Sequence, residues 1–448
     1  MLFAFSCGTT EPPPAPDNSK RLRDAITAVG ITEHARRFAE IAEQNGGNRA
    51  AGSPGYDASA EYVADTLRGA GYEVTVQPFG FPYFEELGPA RLELVSPEAR
   101  SYDLGDEVLV LQYSGSGDVT APIRSVDFGT STSGCRAADF EGFREGDVAL
   151  LRRGVCPFGQ KAANAGAAGA SAVIISGGDE AFSGTLGGPG TSIPVLAASS
   201  TVGEELARLA GGASVRVVAS TRSGNRETAN VVAETRTGRA DRTVMVGAHL
   251  DSVPEGPGIN DNGSGSATIL EIAEEMSELK IKPRNKVRFA FWGAEELGLL
   301  GSTRYAQGLS ESEAEEIEAY LNFDMLGSTN GVRFVYDDSG NPAGSDLAEE
   351  AFLDYFASRD LEAEPDDTLV GRSDHGPFAD RGVPVGGLFS GAEGPKSRGE
   401  AEDYGGEAGE AHDPCYHQAC DDLDNLDPRL LDQMSDAAAD ATLRFADG

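Results

Sequence analysis

The sequence predicts an α/β fold in which a mixed, largely parallel sheet is sandwiched by helices and a small β-rich α+β domain is inserted. From Asn230 onward, short apolar runs alternate with helical patterns, as they do in sheets that helices cover on both faces. Between about Tyr102 and Val218, short β-like runs alternate instead with glycine-rich turns, which indicates a separate insert. The 448 residues leave room for both parts.

We therefore divide the chain into four segments. Residues 1–18 are interpreted as a signal remnant and proline-rich tether, and residues 19–101 as the first part of the main domain. Residues 102–222 are the insert, and residues 223–448 are the second part of the main domain.

The composition excludes some classes of protein. The 36 Lys and Arg against 73 Asp and Glu give a net charge of −37, which would repel the phosphates of nucleic acids. The 40% of apolar residues are enough to form a core. No run of 18 apolar residues occurs, so no membrane-spanning helix is predicted. The acidic excess is expected to form a solvated, salt-tolerant surface, which measurements of activity and stability across a salt series would test.

The N-terminal segment resembles the end of a lipoprotein signal. It is apolar and small up to Cys7, and a proline-rich stretch follows, as in a stalk between an anchor and a folded domain. Cys7 is therefore a possible lipidation site and membrane tether, and the alternative is that it is incidental.

The first part of the main domain starts with two amphipathic helices and a strand. One helix begins at Ser19, and we place His34 on its surface. The second helix runs from about Ala58 to Leu67, and Glu73 to Phe79 alternate as a strand. In the insert, we expect strands at Val148–Arg152 and Ala172–Ile175 and an alanine-rich helix near Gln160–Ala168.

The second part alternates strands with helices. The predicted strands are Thr243–Ala248, Lys286–Trp292, Ala319–Asp324 and Pro384–Phe389. The predicted helices are Ser264–Ser277, Leu299–Gln307, Ser345–Ala357 and Pro428–Phe445. In such folds the ligands lie beyond the carboxyl ends of the strands.

Four of the five cysteines form two pairs that are close in sequence, Cys135 with Cys156 and Cys415 with Cys420. Two disulfides and one unpaired cysteine are typical of an exported, anchored protein, so we predict an extracytoplasmic location. The alternative is that all five are reduced core thiols.

The ends of three successive strands, and two loops, carry side chains that can bind metal. They are His249, Asp251, Asp261, Glu295, Glu296, Asp324 and His417. Two histidines with several carboxylates are a ligand set that zinc accepts for hydrolysis. Two ions that share a bridging carboxylate would activate a common water and stabilise the oxyanion. Each residue alone is more often structural, so the prediction depends on their joint placement.

We assign His249 and Asp324 to the first metal, Glu296 and His417 to the second, and Asp261 to the bridge. Asp251 is expected to hold the imidazole of His249 from outside the ligand shell. Since the neighbours Glu295 and Glu296 must point in different directions, we assign Glu295 as the general base that passes a proton to the leaving amine.

These motifs resemble those of the secreted bacterial di-zinc aminopeptidases of the leucine aminopeptidase and aminopeptidase Y type, in peptidase clan MH. The resemblance covers the chain from about Arg21 to its end. It is carried by the segments Val-Gly-Ala-His249-Leu-Asp251-Ser, Gly-Ile-Asn-Asp261-Asn-Gly-Ser-Gly, Phe-Trp-Gly-Ala-Glu295-Glu296-Leu-Gly, Leu-Asn-Phe-Asp324-Met-Leu-Gly, Gly-Arg372-Ser-Asp-His-Gly-Pro-Phe and Cys415-Tyr-His417-Gln-Ala-Cys420. It implies the phosphorylase/hydrolase-like fold of the zinc aminopeptidases and the same assignment of ligands and base.

The resemblance adds four expectations. The insert looks like a protease-associated domain, which is thought to cover or restrict the active site. Tyr416 would donate a hydrogen bond to the tetrahedral oxyanion, although a packed aromatic is the alternative. Arg372 would lie in the substrate loop and act through its backbone carbonyl or on a peptide carboxylate. The peptide bond between Asp261 and Asn262 would be cis.

The predicted function is a zinc-dependent aminopeptidase with two Zn²⁺ per chain that removes N-terminal, apolar residues from peptides. We expect a monomer with peptide substrates and no nucleic-acid partner. The alternatives on the same scaffold are a glutaminyl cyclase, a carboxypeptidase and a receptor-like module without metals. Asp432 and Asp436, one turn apart on the last helix, could help hold a calcium ion, and a solvated acidic face is the alternative.

Overall fold

The computed structural model describes residues 17–448, which form two compact units. The first unit consists of Glu227–Gly448 together with the described residues up to Phe79, and the second is Gly80–Arg226. The predicted lipidation site, Cys7, lies outside the described residues.

Fourteen strands occur in residues 17–448: β1 (Glu73–Ser96), β2 (Arg100–Ser101), β3 (Val108–Val110), β4 (Gly117–Ser125), β5 (Val148–Arg152), β6 (Ala172–Ser176), β7 (Val195–Ala198), β8 (Ser214–Glu234), β9 (Arg239–His249), β10 (Asn285–Trp292), β11 (Ile317–Asp324), β12 (Phe334–Tyr336), β13 (Glu364–Asp366) and β14 (Val385–Phe389).

Twelve α-helices occur in the same range: α1 (Asn18–Ala25), α2 (Ala28–Gln44), α3 (Pro54–Gly69), α4 (Phe158–Ala167), α5 (Ser200–Leu209), α6 (Gly265–Glu278), α7 (Leu300–Gly308), α8 (Glu311–Glu315), α9 (Ser345–Ser358), α10 (Gly376–Ala379), α11 (Arg398–Tyr404) and α12 (Pro428–Asp447). None of these helices is long and apolar enough to span a bilayer.

The sheet of the first unit is mixed and largely parallel, as predicted. Its strand order is β13-β12-β14-β11-β9-β10-β8. The pairs β13/β12, β14/β11, β11/β9 and β9/β10 are parallel, whereas β12/β14 and β10/β8 are antiparallel. Four parallel strands therefore form the centre of this sheet, and an antiparallel pair follows on each side of them.

Alternating side chains of the central strands enter two separate cores. In β10, Phe289 and Phe291 join a large core with α2, α3, α6 and α12, whereas Ala290 and Trp292 join a second core with α7, α8 and α10. Successive residues of a strand face opposite sides, so a strand with apolar residues on both sides must be covered on both. This arrangement confirms the prediction of a sheet between helices.

In the second unit the strand order is β8-β4-β5-β6-β7-β3. β4, β5, β6 and β7 are parallel neighbours, and β8 and β3 pair antiparallel at the two ends. Helices α4 and α5 pack against two small cores. A disulfide joins Cys135 to Cys156.

The predicted insert, residues 102–222, lies within this second unit, which also contains residues 80–101. The sequence reading ends the first strand at Phe79, whereas β1 continues to Ser96. Buried side chains at Phe79 and Phe81 continue the alternation past Gly80, so the strand includes this glycine.

Candidate metal centre

Three neighbouring parallel strands bring the predicted ligands to one edge of the sheet. His249 is the last residue of β9 and is paired with Trp292 at the end of β10. Glu295 and Glu296 follow β10, and Asp324 ends β11, the other neighbour of β9. Because the three strands run in the same direction, these side chains meet beyond their carboxyl ends.

The first cluster contains His249, Asp261 and Asp324. The Nε2 atom of His249 lies 3.3 Å from Oδ1 of Asp261 and 3.3 Å from Oδ1 of Asp324. All three residues are buried.

The second cluster contains Asp261, Glu296 and His417. The Nε2 atom of His417 lies 3.2 Å from Oδ2 of Asp261 and 3.1 Å from Oε2 of Glu296. Asp261 thus turns one carboxylate oxygen towards each histidine, which is the geometry of a carboxylate that bridges two cations.

Glu295 lies further from the first cluster. Its Oε2 is 3.9 Å from Nε2 of His249, beyond the 3.3 Å of the two aspartates. Ala294, just before it, has a φ of +59°, in the left-handed region that costs an alanine energy and that is concentrated at functional sites. Both glutamates therefore follow directly on a turn with a strained backbone.

The carboxylate of Asp251 was expected to hold the imidazole of His249, but the backbone of Asp251 makes the closer contact. Nδ1 of His249 lies 3.1 Å from the backbone carbonyl oxygen of Asp251, whereas the carboxylate is 3.9 Å away. The carboxylate accepts instead the backbone N–H of Glu295 at 3.1 Å. Asp251 therefore orients two parts of the site. Its backbone carbonyl holds the imidazole of His249, because the chain turns directly after that residue, and its carboxylate holds the segment that carries Glu295.

The second predicted disulfide joins Cys415 to Cys420. It closes a short loop in which the ring of Tyr416 stacks on that of His417, with centroids 3.8 Å apart. His417 has a φ of +56°, so its position also depends on a left-handed backbone that the loop imposes.

A pocket opens over the two clusters, and one of its walls is apolar. Besides the ligands it is lined by Met325, Leu369, Phe389, Ala392 and Tyr416. Arg372 lines the same pocket, and its guanidinium donates to Glu393 at 3.0 Å.

The sequence reading missed several residues that position the ligands. Ser373 donates its hydroxyl to Oδ2 of Asp324 at 2.6 Å. Asp421 accepts the backbone N–H of Asn260 at 2.8 Å and that of Asp261 at 3.0 Å. Ser373 follows Arg372 in a motif already singled out and Asp421 follows Cys420 directly, but neither position indicates which distant residue it contacts. The peptide bond between Asp261 and Asn262 is cis.

Asp374 and His375 are buried next to the clusters without joining them. Burial raises the pKa of Asp374 to about 7, and both of its carboxylate oxygens are buried. Burial lowers the pKa of His375 to about 4, so this imidazole is neutral, and it packs 4.7 Å from the ring of Tyr336.

The expectation of a surface position for His34 is wrong. The residue is 7% exposed, and its Nε2 faces Glu271 and Glu274 at 3.2 and 3.1 Å. α2 packs on α6, so the histidine points into the interface between the two helices.

Two acidic residues of α12 make contacts of their own. The carboxylate of Asp432 accepts the backbone N–H of Ala28, and that of Asp436 accepts the hydroxyl of Tyr355. Both therefore link α12 to other helices, and the calcium prediction gains no support from these contacts.

The residues of the two clusters suit divalent zinc. Two imidazoles and several buried carboxylates form a donor set of nitrogen and oxygen atoms, and Nε2 of each histidine faces only carboxylates. Oε1 of Glu296 is buried without a hydrogen-bond partner among the described residues, as expected of an atom that faces a cation.

Comparisons with known proteins identify the family of this chain. The profile of Peptidase family M28 matches residues 230–442, and that of the PA domain matches residues 116–206. A protein of Pseudomonas aeruginosa named "Aminopeptidase" is 45% identical over 435 residues, which are 93% of this chain and 80% of that protein. The "Probable lipoprotein aminopeptidase LpqL" of Mycobacterium tuberculosis is 41% identical, over 94% of this chain and 85% of its own length.

Solved structures are also similar. An aminopeptidase from Aneurinibacillus sp. strain AM-1 has a TM-score of 0.65 at 27% identity, over 96% of each chain. A zinc aminopeptidase from Bacillus subtilis has a TM-score of 0.58 at 26% identity, over 94% of this chain and 97% of that one. The chain therefore belongs to the aminopeptidases of peptidase family M28 and carries an inserted PA domain.

Proposed function

We propose that this protein is a zinc-dependent aminopeptidase that removes N-terminal, apolar residues from peptides with two Zn²⁺ per chain. His249 and Asp324 would hold one ion, Glu296 and His417 the other, and Asp261 would bridge them. The observation that carries the proposal is that the two oxygens of Asp261 face the two histidines at 3.3 and 3.2 Å. When bound, zinc acts as a Lewis acid that polarises a carbonyl and strengthens water as a nucleophile.

The protein would supply the proton transfer and part of the charge stabilisation. Glu295, beside the first cluster but not within it, would take the proton of the attacking water and deliver it to the leaving amine. The hydroxyl of Tyr416 would donate to the oxyanion that develops on the scissile carbonyl. Asp251 would hold the Glu295 segment through the bond to its N–H.

The pocket supports a preference for apolar residues. Met325, Leu369 and Phe389 form a wall that can bury an aliphatic side chain, which is worth roughly 1.5–3 kcal/mol for a leucine-sized group. Arg372 stands at this pocket in an ion pair with Glu393 and could bind a carbonyl or carboxylate of the peptide.

We further propose that the protein works outside the cytoplasm. The two disulfides support this location, and the similar mycobacterial protein carries the name "Probable lipoprotein aminopeptidase LpqL". Anchoring through Cys7 and the monomeric state stay predictions.

Hydrolysis of chromogenic anilides by zinc-reconstituted protein tests the proposal. We expect cleavage of leucine anilide to be faster than that of arginine or glutamate anilide, and no cleavage of acetyl-leucine anilide, because only the free amine marks an N-terminus. Peptides with acidic C-terminal residues serve as the comparison. Cleavage of blocked peptides without cleavage of the anilides would contradict the aminopeptidase assignment.

A further inference from the structure

Arg49 is a fully buried cation that contacts the loop between His249 and Asp261. It lies in the loop between α2 and α3, and none of its surface is exposed. Within residues 17–448 it forms no ion pair with a carboxylate, although a buried charge is costly unless it is compensated. Its guanidinium packs over the ring of Phe38, 5.0 Å from the centroid.

The guanidinium is satisfied by three carbonyl groups of one loop. It donates from Nη1 to the carbonyl oxygen of Leu250, from Nε to that of Pro257 at 2.9 Å and from Nη2 to that of Gly258 at 2.5 Å. The main chain of Arg49 forms two more hydrogen bonds with Ser252. The N–H of Arg49 donates to the hydroxyl of Ser252 at 2.9 Å, and the N–H of Ser252 donates to the carbonyl oxygen of Arg49 at 3.3 Å.

These contacts hold the loop between His249 and Asp261 at two points, one near each of these predicted ligands. Leu250 directly follows His249, a ligand of the first cluster, and Gly258 comes three residues before Asp261. The rigid fork of a guanidinium can span carbonyls that a single ammonium group cannot reach together. The far side of the loop is held by Asp421, which accepts the N–H groups of Asn260 and Asp261.

We propose that Arg49 is a positioning residue that sets the distance between His249 and Asp261 and thereby determines how tightly the first metal site binds zinc. Its positive charge, close to Asp251, Asp261 and Asp421, also offsets part of the negative charge of the centre. The proposal rests on the proposed zinc site, and it assigns to Arg49 no contact with the substrate.

The test compares Arg49→Lys and Arg49→Met with Lys396→Met. Lys396 is a matched control in the same unit, since it is a buried cation, 2% exposed, that donates to the carbonyls of Asn330 and Gly331 and contacts no predicted ligand. Zinc affinity is measured by chelator competition without peptide, the geometry of the site by the visible spectrum after loading with Co²⁺, and stability by thermal unfolding.

We expect Arg49→Met to bind zinc about 100-fold more weakly and Arg49→Lys about 10-fold, the range typical of groups that hold metal ligands. Both should shift the cobalt spectrum. Lys396→Met should lose thermal stability but keep wild-type zinc affinity and cobalt spectrum. If Arg49→Met does not fold, Arg49→Lys, which keeps the charge, decides the question.

Wild-type zinc affinity and an unchanged cobalt spectrum in folded Arg49→Lys would overturn the role of Arg49. That outcome leaves the proposed function intact. A wild-type protein that binds no zinc in the same assay would instead contradict the proposed function itself.

Discussion

Glu295 and Glu296 are neighbours in sequence that face different atoms. Glu296 lies 3.1 Å from Nε2 of His417, whereas Glu295 lies 3.9 Å from His249 and has its backbone N–H bound by Asp251. The turn that carries them directly follows Ala294, which has a left-handed φ of +59°. Substitution of the two residues should therefore separate proton transfer from metal binding.

Glu295→Gln removes the carboxylate of the proposed general base and keeps the size of the side chain. We expect kcat for leucine anilide to fall by at least about 100-fold, the usual contribution of a general base, with KM and zinc content unchanged. Glu296→Gln is the matched control and should reduce the zinc content to one ion per chain. A Glu295→Gln variant that keeps wild-type kcat would contradict the assignment of the base.

Tyr416→Phe removes only the hydroxyl that is proposed to stabilise the oxyanion. The aromatic ring, which stacks on His417 at 3.8 Å, is retained, so zinc content should not change. We expect kcat to fall about 100-fold, as when one oxyanion donor is lost, with KM little affected. Steady-state kinetics and metal analysis check this, and an equal loss of zinc would indicate a structural role instead.

At the scale of elements, His34 links α2 to α6 by a charge-dependent contact. Burial alone would lower the pKa of this imidazole, but hydrogen bonds and charges from Glu271 and Glu274 outweigh it and raise the pKa to about 9. Its Nδ1 contacts the hydroxyl of Tyr62 on α3, and Arg37 lies over the ring of that tyrosine. The cluster therefore joins three helices.

The stability contributed by His34 should depend on pH. Since the pKa in the folded state lies above the unfolded value of 6.5, the contribution is complete below pH 6.5 and is lost as the pH rises through 9. The difference in unfolding free energy between wild type and His34→Gln should shrink by about 3 kcal/mol between pH 6 and pH 9.5. Denaturant titrations measure it, and Glu278→Gln, an exposed change on α6, should show no such trend. A pH-independent difference would mean that the histidine is neutral.

The strands that carry the ligands could be predicted because each is an apolar run that ends in a polar residue. The predicted Lys286–Trp292 agrees with β10 to within one residue, and Ala319–Asp324 ends where β11 ends. The strand β1 could not be bounded in the same way, because Gly80 and Pro82 within it are residue types that are depleted in strands.

The supporting contacts of the site could not be predicted, because they join distant parts of the chain. Arg49 and Leu250 are 201 positions apart, and Asp261 and Asp421 are 160 apart. Nothing in the local sequence of either partner indicates the other. The burial of His34 was missed for the same reason, since its carboxylate partners lie on a helix far along the chain.

At the scale of the whole molecule, the site brings together buried acidic groups in a protein with a net charge of −37. Without cations these carboxylates repel one another in a poorly solvated setting. Any ligand that binds only the folded state stabilises it, by about 4 kcal/mol at a thousand times its Kd. Metal binding should therefore contribute to folding stability as well as to activity.

Removal of metal by a chelator should abolish activity and lower Tm by at least about 5 °C. Thermal unfolding with and without chelator measures this, and added zinc should restore both properties. Glu296→Gln, which is expected to retain one ion, should show a smaller shift. Loss of activity without any change in Tm would contradict a stabilising role of the metal.

The two histidines that Asp261 joins differ in their access to solvent. The side chain of His249 is 2% exposed, whereas that of His417 is 38% exposed in the loop closed by Cys415 and Cys420. The two proposed zinc ions should therefore exchange at different rates, and the one at His417 should exchange first. Protein purified in metal-poor buffer would then keep zinc at His249 and take up at His417 whichever metal the medium supplies, so a single preparation could contain mixed-metal centres. Isotope exchange of zinc followed over time should accordingly show two phases of equal amplitude.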